Sequence, residues 1–337
     1  MSLIESKSLL LTIRFTIKLS ENILENESYF FNKLPKIAQK IALHRIEREG
    51  DVYWLKQLDR TVYALAEKWE LTLGEVLNGG TASLILEATQ KDGRPAVLKL
   101  ALPGNSIYTE ALVLNATNGN GYVTLYDVDF EREALLLEKL GTPLSGTLKT
   151  IDEHILILCS TLRKSWVKPR LMNLPTAIHK ALEMKEMIQQ KWEELDRPFS
   201  ERTLHLAMEY AEARMNAFDL NTSVLTHGDA HGFNILETSD GNYKFVDPDG
   251  VIADKAYDLI CLMRDWSDEL LAGNVLDRLR KRCTWLTELT GAEEIAIWQW
   301  GYLGRLVIGL TLMEIGKEDE GRKTLKVSDE ISHHRVF

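Results

Sequence analysis

The chain has 337 residues, 45% of them hydrophobic and 27% charged, which predicts a folded protein of two lobes or two domains. Its formal net charge of -10 argues against a nucleic-acid partner, because such partners are held mainly through Lys and Arg, and it is compatible with a cationic small molecule. Three widely spaced cysteines argue against a disulfide framework or a zinc knuckle and favour a cytoplasmic location.

The first predicted elements lie before residue 70. Residues 8–19 alternate between apolar and polar side chains, which is typical of a strand and not of the continuous apolar core of a signal peptide. Apolar residues recur at helical spacing from Trp54 to Trp69, so we predict a helix with one buried face. No pattern before about residue 45 indicates a role for that segment.

A strand-rich region follows. Asp92-Gly93, between two apolar runs, is a good signal for a hairpin. A short helix is predicted at 108–116, and Gly121 follows it. The predicted strands are 73–77, 83–89, 96–101, 122–128 and 134–137.

The pattern becomes helical after residue 141. Helices are predicted at 178–195 and 204–218. Residues 295–315 are long and apolar enough to span a bilayer, but a charge such as Arg305 near the centre of a span costs about 2.5–3.5 kcal/mol. We therefore predict a buried helix and no membrane partner. The fold class is α+β, with a helical extension and a small antiparallel-sheet lobe in 1–140 and a larger helical lobe in 141–337.

The most informative segments are HGDAHGFN at 227–234 and DPD at 247–249. A carboxylate, an amide and a second carboxylate in this order are what phosphoryl transfer from a nucleotide requires. One acid orients and deprotonates the attacking hydroxyl, while the amide and the other acid hold magnesium. We predict Asp229 as the catalytic residue and Asn234 and Asp247 as Mg²⁺ ligands.

Residues of the small lobe supply candidates for ATP binding. Lys99 ends the third predicted strand, where its charge can reach phosphates if an acid such as Glu110 holds it. Gly79 and Gly80 lie in the first turn, where backbone N–H groups can approach phosphate and Thr81 or Ser83 can add a hydroxyl. An ordinary Gly-Gly hairpin turn explains these glycines equally well.

The 227–234 segment also has residues that suit a different chemistry. His227, Asp229 and His231 are residue types that bind zinc, as in a metal-dependent hydrolase. No H-x-H or H-E-x-x-H motif accompanies them. His227 is therefore predicted to fix the loop by hydrogen bonding.

Taken together, these motifs resemble the aminoglycoside phosphotransferase branch of the protein-kinase-like superfamily, and most closely the streptomycin 6-kinase family of aminoglycoside/hydroxyurea antibiotic-resistance kinases. The resemblance covers roughly residues 50–265. It implies a protein-kinase-like two-lobed fold, ATP and Mg²⁺ as cofactors, a hinge from Glu138 to Leu140 whose backbone meets adenine, and a bracing role for Asp258. The matching segments are WELTL at 69–73, GGTAS at 79–83, DGRPAVLKL at 92–100, ALLLEKL at 134–140, HGD at 227–229 and DP at 247–248.

The acceptor side departs from that family pattern. Asp249 stands where streptomycin kinases tend to have lysine, so the identity of the hydroxylated acceptor stays open. After a predicted helix at 258–263, Asp265, Asp268 and Glu269 can supply carboxylates to a cationic acceptor such as streptomycin, although a solvated helix end is the alternative. Other interpretations are a metabolic kinase of the choline, homoserine or fructosamine type and a nucleotide-binding pseudokinase.

Overall fold

The computed structural model describes residues 28–49, 52–78, 82–169 and 173–334. The predicted strand at 8–19 and the predicted phosphate-binding glycines Gly79 and Gly80 lie outside the described residues. The chain divides into two compact units. The first comprises Met1–Ala111 and Thr124–Lys139, and the second comprises Leu112–Val123 and Leu140–Phe337.

Three helices begin the described part of the first unit: α1 Tyr29–Lys33, α2 Lys36–Glu49 and α3 Val52–Lys68. Ser28 caps α1 and also donates its hydroxyl to Asp59 of α3 at 2.7 Å, which ties the two helices together. The apolar face of α3 is buried against the sheet, with Leu58 and Leu65 at 1% and 0% exposure. The helix predicted from residue 54 is confirmed.

An antiparallel five-stranded sheet completes the first unit, in the order β1-β2-β3-β5-β4. The β2–β3 hairpin is confirmed, and Gly93 takes the positive φ of 86° that its turn requires. After β3 comes helix α4, Tyr108–Thr117, which continues into the second unit. The strands are β1 Thr72–Val76, β2 Ser83–Thr89, β3 Pro95–Ala101, β4 Leu125–Asp129 and β5 Ala134–Glu138.

The predicted strand at 122–128 begins three residues late. Tyr122 and Val123 belong to the second unit, where Val123 N–H donates to the Phe245 carbonyl at 2.8 Å. Gly121 has a φ of 71°, and the chain turns there before it reaches β4. The apolar run alone could not show that its first residues pair with a different partner.

The second unit contains two short antiparallel ladders among helices. Strand β6 Val224–Thr226 pairs with β9 Val251–Ala253, and β7 Ile235–Glu237 pairs with β8 Tyr243–Phe245. Short 3₁₀ helices cover Leu144–Gly146 and Lys255–Leu259. The α-helices are α5 Ile151–Ser165, α6 Ala177–Glu194, α7 Glu201–Asn216, α8 Ile260–Arg264, α9 Ser267–Leu271, α10 Val275–Thr290, α11 Glu294–Glu314 and α12 Glu318–Ile331.

Helix α11 is the core of the second unit. Among the described residues it is the one helix long and apolar enough to cross a membrane, but 72% of its most apolar 18-residue window is buried inside the fold. Glycines allow close packing, since a Cβ on Gly301 would lie 2.5 Å from the Cβ of Met263 in α8. The prediction of a buried helix is confirmed.

Candidate active site

The two ladders of the second unit position the HGD loop. His227 follows β6 directly, and the Gly250 N–H before β9 donates to the His227 carbonyl at 3.1 Å. Asn234 precedes β7, and its carbonyl accepts from the Val246 N–H at the end of β8 at 2.9 Å. Hairpin pairing therefore brings the segments of Asp229, Asn234 and Asp247 together within this unit.

His227 is fully buried and holds the loop through both ring nitrogens. Nδ1 accepts the Asp229 N–H at 3.1 Å, so the ring proton lies on Nε2, which donates to the Val246 carbonyl at 2.9 Å. Burial lowers the pKa of His227 to about 4. The neutral ring has a structural role, as predicted, and neither nitrogen is available to a metal.

Asp258 holds the same loop through hydrogen bonds to its backbone. Its carboxylate is 2% exposed and accepts from the N–H groups of His227 and Gly228 at 3.0 and 2.9 Å, and from the Trp166 indole at 2.8 Å. Burial raises the pKa of Asp258 to about 6, although these hydrogen bonds favour the carboxylate. This is the bracing position that the resemblance implied.

The Asp229 carboxylate lies at the open end of this loop, with its side chain 38% exposed. His231 Nε2 is 3.1 Å from Oδ2, and Arg264 Nη2 is 3.6 Å from Oδ1. Partial burial would raise the pKa of Asp229, but the His231 hydrogen bond and the charges of His231 and Arg264 outweigh it and hold this pKa below its usual value. Asp229 is therefore ionised at neutral pH and can accept a hydrogen bond from a hydroxyl.

Asn234 and Asp247 have the donor chemistry of a magnesium site. The Asn234 amide donates to the Asp229 carbonyl at 3.1 Å, which fixes the side chain and leaves its oxygen as the ligand atom. Asp249 adds a further acid to this region. Partial burial, and then the negative charge of Asp229, raise the pKa of the Asp249 carboxyl, although the residue remains more than a third exposed. The described residues hold no group of three His, Cys, Asp or Glu placed to bind a metal.

The predicted lysine–glutamate pair is present in the first unit. Lys99 of β3 lies 2.6 Å from Glu110, in the first turn of α4, and both side chains are under 10% exposed. Lys99 stands between Ile85 and Leu135 on the neighbouring strands, so it belongs to the sheet and is not a solvated strand end. Ser83 is buried at the start of β2.

The predicted hinge lies where the chain passes from the first unit to the second. Glu138, the last residue of β5, accepts from the Thr124 hydroxyl at 2.6 Å, and the Glu138 N–H donates to the Thr124 carbonyl at 2.9 Å. Lys139 forms an ion pair with Glu87 at 2.7 Å. Leu140 already belongs to the second unit.

Each acid of the predicted acceptor rim has a basic partner inside the second unit. Asp265 lies 3.2 Å from Arg264, and Asp268 lies 2.6 Å from Lys323. Glu269 contacts Arg278 and also Arg282, the latter at 2.5 Å. The contacts of Asp268 and Glu269 connect α9 to α10 and α12.

Two arginines that support Asp229 were not predicted as site residues from the sequence. Arg264 ends α8 beside Asp229, and Arg305 of α11, 1% exposed, donates to the carbonyl oxygens of Met263 and Arg264, the latter at 3.0 Å. Arg305 thus holds the end of the helix that carries Arg264. The available signal was a single arginine inside a long apolar helix, which implies a specific buried partner.

A model of the family described as aminoglycoside/hydroxyurea antibiotic resistance kinase matches residues 68–305, more than half of the chain. The chain belongs to the aminoglycoside/hydroxyurea antibiotic resistance kinase family. Streptomycin 6-kinase of Streptomyces glaucescens is 28% identical to it over 282 residues, which cover 82% of this chain and 90% of the relative. As a member of this family the chain is a phosphotransferase, and the prediction of a kinase acting on an alcohol group is confirmed.

Solved structures of kinases share its fold. A thermostable mutant of aminoglycoside phosphotransferase APH(4)-Ia, solved with ADP and hygromycin B, aligns with a TM-score of 0.57 at 14% identity and covers 82% of this chain and 98% of that one. Choline kinase LicA of Streptococcus pneumoniae aligns with a TM-score of 0.53 at 13% identity, and the alignment covers 82% of this chain and 100% of that one. At such low identity the likeness shows the fold alone. The predicted protein-kinase-like α+β fold is confirmed.

Proposed function

We propose that this family member transfers the γ-phosphoryl group of ATP to a hydroxyl of an aminoglycoside of the streptomycin type. The observation that carries the proposal is the ionised Asp229, exposed at the end of a loop that His227 and Asp258 hold rigidly. A carboxylate preorganised in this way can orient a hydroxyl at little entropic cost.

In this proposal Asp229 accepts the hydrogen bond of the acceptor hydroxyl and takes its proton. The hydroxyl oxygen bonds to the γ-phosphorus, while the bond from that phosphorus to the bridging oxygen breaks and ADP leaves. The lowered pKa of Asp229 makes it a weak base. Its main contribution is therefore orientation, with proton transfer late in the step.

The remaining predicted residues would hold the nucleotide. Asn234 and Asp247 would hold Mg²⁺, which when bound neutralises phosphate charge. Lys99, held by Glu110, would contact the α- and β-phosphates. The other proposed ATP-binding residues are Gly79, Gly80, Ser83, Glu138 and Leu140.

A cationic acceptor is supported by the named relatives and by the group of three acids, Asp229, Asp247 and Asp249, whose charges act on one another. Among the rim acids, Asp268 is the one best able to change partners, because its side chain is 83% exposed and water screens its ion pair with Lys323. Glu269 is held by two arginines and is less available. We propose a cytoplasmic location, which the three free, buried cysteines support.

An acceptor screen tests the proposal. Streptomycin, hydroxyurea, choline and homoserine are offered separately with magnesium-ATP, and ADP release and product mass are measured. We expect streptomycin to give the largest kcat/KM, and its KM to rise with salt more than that of ATP, because screening weakens long-range attraction. The proposal fails if only uncharged or zwitterionic acceptors are phosphorylated, and Asp229→Asn is the inactive control.

A further inference from the structure

A cavity of about 370 Å³ opens in the second unit near the end of α5. It is lined by Arg163, Trp166, Val224 and Lys255, and by residues 288–291 at the end of α10. Its volume lies within the range of roughly 300–1,000 Å³ that small-molecule sites occupy. None of the residues assigned above to phosphoryl transfer lines it. We refer to it as the Trp166 cavity.

Two cationic side chains, Arg163 and Lys255, line the cavity. Neither Arg163 nor Lys255 forms an ion pair with a carboxylate in the part of the chain that the structure describes. Glu288 is the one acid among the described lining residues, so the wall is positive in a chain whose net charge is -10. A bound anion would be attracted by both cations.

An aromatic surface adjoins these charges. The Lys255 ammonium lies 5.5 Å from the centre of the Trp166 ring, within the range of a cation–π contact. The indole is half-buried and lines the cavity together with Val224 and Leu289. The wall therefore suits a ligand that joins a flat apolar group to a negative one.

Trp166 also connects the cavity to the HGD loop. Its indole N–H donates to Asp258 Oδ2 at 2.8 Å, and the same oxygen accepts the His227 N–H at 3.0 Å. Donors that share one buried carboxylate are coupled, since a change at one alters the strength of the others. A ligand that moves the indole would change how Asp258 holds the loop that carries Asp229.

We propose that the Trp166 cavity binds a small aromatic anion, with its carboxylate or phosphate between Arg163 and Lys255 and its ring against Trp166, and that binding alters turnover through Asp258. The site lies outside the proposed nucleotide and acceptor sites. Anion binding at this site can be measured without any enzymatic assay. A failure to bind the anion and a failure of the proposed function are therefore separate results.

Binding is tested by NMR of the ¹⁵N-labelled indoles. The chain has eight tryptophans, and Trp166→Phe assigns the signal of interest. Phenyl phosphate and benzoate are titrated as probes, with benzyl alcohol as the uncharged control. We expect a saturable shift of the Trp166 signal with at least one anion and a Kd on the order of 1 mM. The more potent probe identifies the anionic group.

Arg163→Gln should abolish this shift, while Lys164→Gln should retain it. Lys164 is the adjacent exposed residue of α5 and does not line the cavity, so it is a control matched in charge and position. The other seven indole signals report whether each variant is folded. Absence of a saturable shift, equal loss in both variants, or an equal shift with benzyl alcohol would overturn the site.

Coupling is tested with the same variants. At a saturating concentration of the bound anion, kcat should change at least twofold in the unmodified chain and in Lys164→Gln, and stay constant in Arg163→Gln. Binding without any change in kcat would overturn the coupling through Asp258. A change of equal size in Arg163→Gln would also overturn it, since the anion would then act elsewhere.

Discussion

The guanidinium of Arg264 lies 3.6 Å from the Asp229 carboxylate, and the carbonyl of Arg264 accepts a hydrogen bond from Arg305 at 3.0 Å. The charge beside Asp229 is therefore held in place by Arg305 of α11, which lies 41 residues after Arg264 in the chain. This arrangement stabilises the ionised form of Asp229, and it makes the electrostatics of the loop depend on the packing of α8 against α11.

Asp229→Asn should lower kcat by about 10²–10⁴, because the amide cannot accept the proton of the acceptor hydroxyl. Nucleotide affinity should stay near normal, since Asp229 is assigned to the acceptor. Steady-state kinetics and nucleotide titration measure the two effects. Asp277→Asn, in the first turn of α10, is a control outside the loop. A variant that keeps more than a third of the turnover would remove Asp229 from the mechanism.

Arg305→Met should lower the free energy of unfolding by about 2–5 kcal/mol, because two buried carbonyl oxygens lose their donor. Urea unfolding measures this change. Arg322→Met on α12, whose arginine forms an exposed ion pair with Glu318, is the control and should have little effect.

Arg305→Met should also affect catalysis at temperatures where it stays folded. With Arg264 less well placed, the pKa of Asp229 should rise and the acid limb of kcat should move to higher pH. The KM for nucleotide should change little. An unaltered pH profile would mean that Arg305 stabilises the fold without positioning Arg264.

Asp247→Ala should weaken nucleotide binding only when magnesium is present, whereas Lys99→Ala should weaken it with magnesium or with chelator. The carboxylate is assigned to the metal, and the lysine to the phosphates themselves. A fluorescent nucleotide measures all four affinities. Lys91→Ala, an exposed lysine in the β2–β3 turn, is the matched control. Identical behaviour of the two test variants would show that one assignment is wrong.

His227 and Asp258 should contribute to stability with opposite pH dependence. The pKa of His227 falls from 6.5 to about 4 on folding, so its contribution is complete above pH 6.5 and is lost as pH falls towards 4. The pKa of Asp258 rises from 3.8 to about 6, so its contribution is present below pH 3.8 and is lost as pH rises through 6. Between about pH 4 and pH 6 the two slopes of stability against pH have opposite sign and nearly cancel.

His227→Gln should remove one of these contributions while retaining a donor and an acceptor at that position. The stability difference between the unmodified chain and the variant should grow by about 1 kcal/mol per pH unit from pH 4.5 to 6. Urea unfolding at several pH values measures it. A difference that does not vary with pH would contradict the buried, neutral state of His227.

Local patterns were sufficient for much of the fold. Alternation and hairpin chemistry predicted β2, β3 and their turn, because these features depend on neighbours in the chain. The same reasoning placed the start of β4 three residues early, because the apolar side chains of Tyr122 and Val123 do not specify which strand they meet. It also left Asp268 and Glu269 as candidate ligands, since their pairing with basic residues of α10 and α12 depends on how these helices pack.

The sequence by itself indicated the phosphotransferase chemistry and the candidate residues for it, because the H-G-D loop, Asn234 and Asp247 are close in the chain and their spacing follows from two short ladders. Only the tertiary structure decided which side chains support them. Arg264 beside Asp229, Arg305 behind Arg264, and Trp166 with Asp258 under the loop are contacts between distant elements. Such contacts arise when helices pack around a common core, and residue spacing along the chain carries no record of that packing.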